Sequence, residues 1–189
     1  PITDEMKQLT YRQEIGKNST KIHHPTPTSG ITVGAGYDMK GRTSEEIIED
    51  LTMAGVDADV AGQISKAAGL SGDEAKQFMK DNKGLGITED QQLKLFDTVF
   101  ANTVIRTQNQ LRNMGYNPKD IPENKLILLV DYVYNTGSLF PKFTKAIIDN
   151  DYETAKKEYK RYSGNKELTR RNKATLSYIK ELEKDTQIG

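Results

Sequence analysis

Apolar positions along most of this chain recur at three- and four-residue spacing, the period of an amphipathic helix. Ile2, Met6 and Leu9 mark a narrow stripe on a first helix that opens after Thr3, with Asp4 and Glu5 in its first turn. That helix is predicted to run to about Ile15 and to stop at Gly16. Glu14 therefore falls on its last turn, where the helix dipole disfavours a negative charge.

The texture then changes. Gly, Pro, Ser and Thr dominate Lys17 to Gly30, and the pairs His24-Pro25 and Thr26-Pro27 hold the backbone extended. Ile31-Thr32-Val33-Gly34-Ala35-Gly36-Tyr37-Asp38 reads as one short strand and its turn. It is the one persuasive β signal, so any sheet is small.

After Gly41 the pattern is helical to the end. Thr43-Ser44-Glu45-Glu46 is a capping box ahead of Ile47, Ile48 and Leu51, with a stop at Gly55. Asp57 starts a helix that ends near Gly69, and Ser71 opens another bearing Phe78 and Met79. Thr88-Glu89-Asp90-Gln91 opens a long helix whose apolar positions run from Leu93 to Leu111. Gly115 to Pro122 is a loop. Leu126 to Tyr134 is apolar almost all round, which marks a buried central helix. Short helices are predicted at about Thr144–Asp149, Tyr152–Tyr162 and Thr169–Lys184.

The fold expectation is α+β but mainly α, as one domain over residues 1–189. It has an N-terminal lobe of about 1–86 with a small antiparallel sheet and a helical insert at about 43–82. A long helix then leads into a helical lobe of about 87–189, with a cleft expected between the lobes. A chain of 189 residues suits one domain or two small lobes.

Composition narrows the chemistry. There are no cysteines and the two histidines are adjacent, so disulfides, zinc ribbons and thiol nucleophiles are excluded and no metal site at ligand spacing is found. Twenty-seven basic residues balance twenty-seven acidic ones, and nothing global points to nucleic acid. The longest apolar run, Leu126 to Val130, is far below the roughly 20 residues of a membrane span. No signal peptide opens the chain, and its start at Pro1 reads as trimmed or cut from something longer. Carboxylates, hydroxyls and backbone remain to carry any chemistry, without a cofactor.

Taken alone, Glu14 reads as a solvated glutamate and Thr32 to Tyr37 as a hairpin arm whose glycines take positive φ. Gly34-Ala35-Gly36 is no phosphate loop, because neither a following Gly-Lys-Ser/Thr nor a third glycine is present. His23 and His24 read as solvated or loop-tethering, with a hydrogen bond from His24 to Glu14 or Asp38 expected over direct catalysis. Arg170 and Arg171, with Lys166 and Lys173, read either as a solvated helix face or as a binding site for peptide carboxylates.

Together these segments resemble the phage-type muramidases of the lysozyme superfamily, in collinear order over nearly the whole chain. The resemblance rests on a glutamate ending an early helix, then Thr-x-Gly-x-Gly-Tyr on a small sheet. Ile87-Thr88-Glu89-Asp90-Gln91-Gln92-Leu93-Lys94-Leu95-Phe96 resembles the start of that family's interlobe helix, and Leu126 to Gly137 its central helix. Phe140 to Thr144, Asp151 to Ala155 and Leu168 to Ala174 resemble its closing helices. The usual phage enzyme carries an Asp between its Glu and Thr. Here Asp38 follows Thr32 by six, an order similar to the muramidase domains of pesticin-type bacteriocins, as is the insert.

What the resemblance implies is a lysozyme-like fold and hydrolysis of the β-1,4 bond from N-acetylmuramic acid to N-acetylglucosamine in peptidoglycan, with inversion. Glu14, Thr32 and Asp38 would be catalytic, and Gly34, Gly36, Tyr37, His24, Asn135, Arg170 and Arg171 would bind substrate. Glu14 suits the general acid, while Asp38 with Thr32 suits the placing of water. The partners implied are glycan strands, an immunity protein or a delivery carrier. The chain is expected to act as a monomeric antibacterial toxin or phage lytic domain in the periplasm or wall of a target cell. A lytic transglycosylase, a chitosanase on the same fold and a non-catalytic wall-binding module are the alternatives.

Overall fold

The computed structural model describes residues 2–15 and 19–188; Gly16, the expected helix stop, lies outside them. The described residues are mainly helical, with two small hairpins among them. The elements are α1 (Asp4–Glu14), β1 (Thr32–Val33), β2 (Tyr37–Asp38), α2 (Ser44–Met53), α3 (Ala58–Ser65), α4 (Gly72–Asp81) and α5 (Glu89–Asn113). There follow α6 (Glu123–Thr136), α7 (Pro141–Ile148), α8 (Tyr152–Glu158), β3 (Tyr162–Ser163), β4 (Lys166–Glu167) and α9 (Thr169–Ile188). Among the described residues no helix is long and apolar enough to cross a membrane.

Two compact units emerge, one of Tyr11–Ala101 and one of Pro1–Thr10 with Asn102–Gly189. This division differs from lobes at about 1–86 and 87–189, because it falls inside α1 and inside α5. The side chains explain why. Leu9 packs with the core of the second unit, whereas Tyr11 meets Phe96 edge-on, with ring centroids 4.9 Å apart, in the first. α5 is unbroken through Val99.

In the Tyr11–Ala101 unit the β1–β2 hairpin is antiparallel, with Thr32 opposite Asp38 and Val33 opposite Tyr37. Single bridges Lys21–Gly86 and His23–Thr32 widen it beyond the two named strands. Side chains alternate across a strand. One face of the sheet carries Ile22, Ile31, Val33, Tyr37 and Met39, all under 5% exposed, packed on Ile47 and Leu51 of α2, Ala61 and Ile64 of α3 and Leu95 of α5. The insert α2–α4 thus covers the inner face and leaves the polar face outward. Its first helix starts as its sequence demands, with Thr43 Oγ1 accepting from the Glu46 N–H at 3.1 Å.

The other unit is built on α6, whose residues 127–133 are buried without a break. Leu128, Leu129 and Tyr132 pack on Phe143 and Ile147 of α7 and on Ile179 and Leu182 of α9. One of those seven buried residues is charged. Asp131 is 1% exposed and pairs at 2.9 Å with both Arg161 and Arg171, while accepting from Thr10 Oγ1 at 2.8 Å. Burial alone would push its carboxyl up, but the two guanidiniums outweigh that and hold it below the usual range.

Asp131→Asn is expected to cost about 3–5 kcal/mol, because it strands two guanidiniums in the core. A fall in the urea midpoint at neutral pH measures it. The sign of the pH effect follows from the depressed pKa. The Asp131 contribution is complete above the unfolded value of about 3.9 and is lost as pH falls through the lower folded value. The acid limb of the stability curve should therefore flatten in the variant.

The β3–β4 hairpin was not anticipated. Ser163 faces Lys166 across Gly164-Asn165, and only Gly164 of the two takes positive φ, the pattern of a type II′ turn. In consequence α8 stops at Glu158 rather than near Tyr162. α7 begins three residues earlier than expected, with Pro141 in its first turn.

Candidate functional site

The outer face of the β1–β2 hairpin brings two of the three expected catalytic residues together. Thr32 exchanges both main-chain bonds with His23 at 2.9 Å, so its N–H and C=O point away from β2. Its pairing with Asp38 is thus the non-hydrogen-bonded kind, in which opposed side chains approach most closely. Thr32 is 9% exposed and its hydroxyl has no hydrogen-bond partner among the described residues. The Asp38 side chain is exposed and accepts from the Lys40 N–H through Oδ1 at 2.9 Å. Among the described residues it forms no salt bridge.

Lys40, Arg42 and Gly30 hold Asp38 in this place. Arg42 donates from Nε to the Asp38 carbonyl at 3.0 Å. The same guanidinium lies 4.1 Å from the centre of the Tyr37 ring and pairs with Asp50 at 3.9 Å. Gly30 supplies the third support by having no side chain. A Cβ there would stand 2.4 Å from Lys40 Cβ and 2.9 Å from Asp38 Oδ1. Gly30→Ala should therefore displace β2 and lower stability by about 1–3 kcal/mol, the usual range for overpacking. Thermal melts of the variant measure this, and an unchanged melting temperature would show that β2 yields freely.

Glu14 is the last residue of α1 and is half-buried. The turn that carries it is anchored by Tyr11 against Phe96, and the Ile15 N–H still bonds to the Tyr11 carbonyl at 2.9 Å. Glu14, Thr32 and Asp38 all belong to the Tyr11–Ala101 unit.

The residues expected to bind substrate divide between the two units. Tyr37 turns to the inner face, 1% exposed, and donates to Asp50 Oδ2 at 2.6 Å. Burial first, and then that hydrogen bond, push its phenol up. Residues 37 and 38 alternate, so only one of them can face outward, and it is Asp38. Gly34 also faces the core, its missing Cβ directed at Leu95, Gln92 and Ile87. Gly34 and Gly36 both take positive φ, so their first role is to close a three-residue turn.

His24 reaches neither Glu14 nor Asp38 with a hydrogen bond; its Nε2–H donates to the Ser29 carbonyl at 2.9 Å and tethers the loop. Arg171 is 8% exposed and committed to Asp131, so it is not offered to peptide carboxylates. Asn135 accepts from Arg161 at 3.4 Å. Arg170 is exposed on the first turn of α9. Asn135 and Arg170 lie in the other unit. Sequence reasoning passed over Gly30 and Arg42, which act on Asp38 through contacts that no local pattern announces.

The arrangement offers a carboxylate, a hydroxyl and a nearby imidazole on the polar sheet face, with a second carboxyl at a helix end of the same unit. A family model described as "Domain of unknown function (DUF8812)" matches residues 7–122. That stretch contains the whole Tyr11–Ala101 unit and every member of this candidate site. No curated protein matches the chain.

Proposed function

This chain belongs to the DUF8812 family of domains of unknown function, and we propose that it is a peptidoglycan hydrolase of the muramidase type. In this reading it cleaves the β-1,4 bond between N-acetylmuramic acid and N-acetylglucosamine and inverts the anomeric carbon. The observation that carries the reading is the closest-approach pairing of Thr32 with Asp38 on the polar face of the hairpin.

Inverting glycoside hydrolysis needs an acid for the leaving oxygen and, on the far side of the sugar, a base with a water. Asp38 takes the proton of that water as it attacks the anomeric carbon, and Thr32 fixes its orientation. Glu14 gives its proton to the glycosidic oxygen as that bond breaks. Its half-buried seat on the last turn of α1, in the same unit as the Thr32–Asp38 pair, supports the role. Such an enzyme acts on the wall of a target bacterium, as an antibacterial toxin or a phage lytic domain, with glycan strands and an immunity protein or a delivery carrier as its partners.

The test is release of new reducing ends from purified peptidoglycan, with chitosan as the counter-substrate. Release from peptidoglycan alone supports the reading. Release from chitosan alone transfers the same site to a chitosanase. Saturable binding to peptidoglycan with neither reducing ends nor soluble fragments released would make the chain a wall-binding module instead.

A further inference from the structure

The polar face of the sheet carries a third side chain whose place the register defines. Segment 20–23 is tied on both sides: Ile22 N–H donates to the Leu85 carbonyl and Ile87 N–H to the Thr20 carbonyl, while His23 and Thr32 exchange two bonds of 2.9 Å. Thr32 in turn lies opposite Asp38. Directly opposed residues of antiparallel strands share a face. His23, Thr32 and Asp38 therefore form one row across three strands, with His23 and Asp38 on either side of Thr32. Opposed Cβ atoms are about 4.5–5.5 Å apart, so the row is roughly 10 Å long.

The state of the imidazole is set by its own strand. His23 Nδ1 lies 2.9 Å from the Lys21 carbonyl oxygen. A carbonyl only accepts, so Nδ1 carries a proton, and the tautomer this selects presents its lone pair at Nε2. That nitrogen has no partner among the described residues, and the ring is half-buried. Lys21, two residues earlier on the same face, does not compete for it, because its ammonium donates to the Gly84 carbonyl at 3.1 Å. The row thus reads as an acceptor, a hydroxyl that gives or takes, and a carboxylate acceptor. Its complement is a ring bearing O–H and N–H donors on both sides of the reacting position, which is what an N-acetylated amino sugar presents.

We propose that His23 is a substrate-binding residue of this site, its Nε2 accepting a hydroxyl or acetamido N–H of the sugar that lies over Thr32, on the side away from Asp38. The identity of the sugar rests on the muramidase reading. Placement of His23 beside Thr32 rests on the sheet register alone. The division of labour is then spatial: Asp38 and Thr32 handle the water, and His23 holds the ring that the water attacks.

Steady-state kinetics on soluble N-acetylglucosamine–N-acetylmuramic acid oligosaccharides test this with wild type, His23→Ala and His23→Gln. Calorimetric titration of the same oligosaccharide into the Glu14→Gln background supplies affinity without turnover. Loss of one hydrogen bond should raise KM and the dissociation constant about tenfold in His23→Ala, with kcat within about threefold of wild type. His23→Gln places an amide oxygen where Nε2 stands and should recover most of the loss, which a purely structural role would not produce. Unchanged KM and affinity in His23→Ala would overturn the assignment, as would a Gln variant no better than Ala or a loss confined to kcat. A wild type that neither binds nor cleaves these oligosaccharides would remove the muramidase reading and this proposal with it. An active wild type with indifferent His23 variants would remove this proposal alone.

Discussion

Glu14→Gln should reduce glycan cleavage by about 10²–10⁴-fold while the protein keeps its melting temperature. The amide has nearly the same shape as the acid but has no proton to give, and general acid catalysis is worth about that range. The fold should tolerate the change because Gln keeps the shape of Glu and the last turn of α1 is also anchored by Tyr11 on Phe96. Initial rates of reducing-end release on purified peptidoglycan measure the effect. Near-native turnover by a folded Glu14→Gln variant would move the acid elsewhere, to Asp38 or to a histidine of the loop.

The second large effect concerns the pair on the hairpin. Thr32→Ala and Asp38→Asn are each expected to lower kcat by about 10²-fold or more, since the first removes the contact that orients the water and the second the base that takes its proton. Residues that act as a unit lose their function together, so the double variant should be little worse than the more damaged single one. The close cross-strand pairing at this register is the structural reason to expect that coupling. Losses that simply multiply would mean the two side chains act separately. Inversion also requires room for the water: in a substrate complex the carboxyls of Glu14 and Asp38 should stand about 6.5–9.5 Å apart, and a separation near 5 Å would favour a covalent intermediate on Asp38.

Much of the fold could be read from local pattern, and the exceptions share a cause. The β1–β2 hairpin was legible because Ile31-Thr32-Val33 and the glycines around Ala35 describe a strand and its turn within eight residues. A three-residue turn over positions 34–36 then makes 32 and 38 partners. The same alternation should have turned Tyr37 inward, since Ile31, Val33, Tyr37 and Met39 form one apolar set. Family likeness had assigned it outward.

His23 escaped because its pairing with Thr32 crosses a Pro-rich loop, where the sequence carries no period. Arg171 was misplaced for a related reason. Its partner Asp131 lies forty residues away, although a lone carboxylate in the apolar run of α6 already demanded a buried cation. The β3–β4 hairpin was missed because its strands are two residues long and mostly exposed, so no alternation marks them. Only the Gly164-Asn165 turn could have announced it.

The central claim is that the hairpin of this chain delivers a water to a muramic acid–glucosamine bond, and the masses of the products test it most directly. Purified peptidoglycan is digested with the full chain and the soluble fragments are weighed without prior reduction. The account predicts muropeptides ending in reducing N-acetylmuramic acid, each carrying the elements of one water. Fragments one water lighter, with anhydro-muramic ends, would contradict it. They would show that no water is delivered and that Thr32 and Asp38 have some other task.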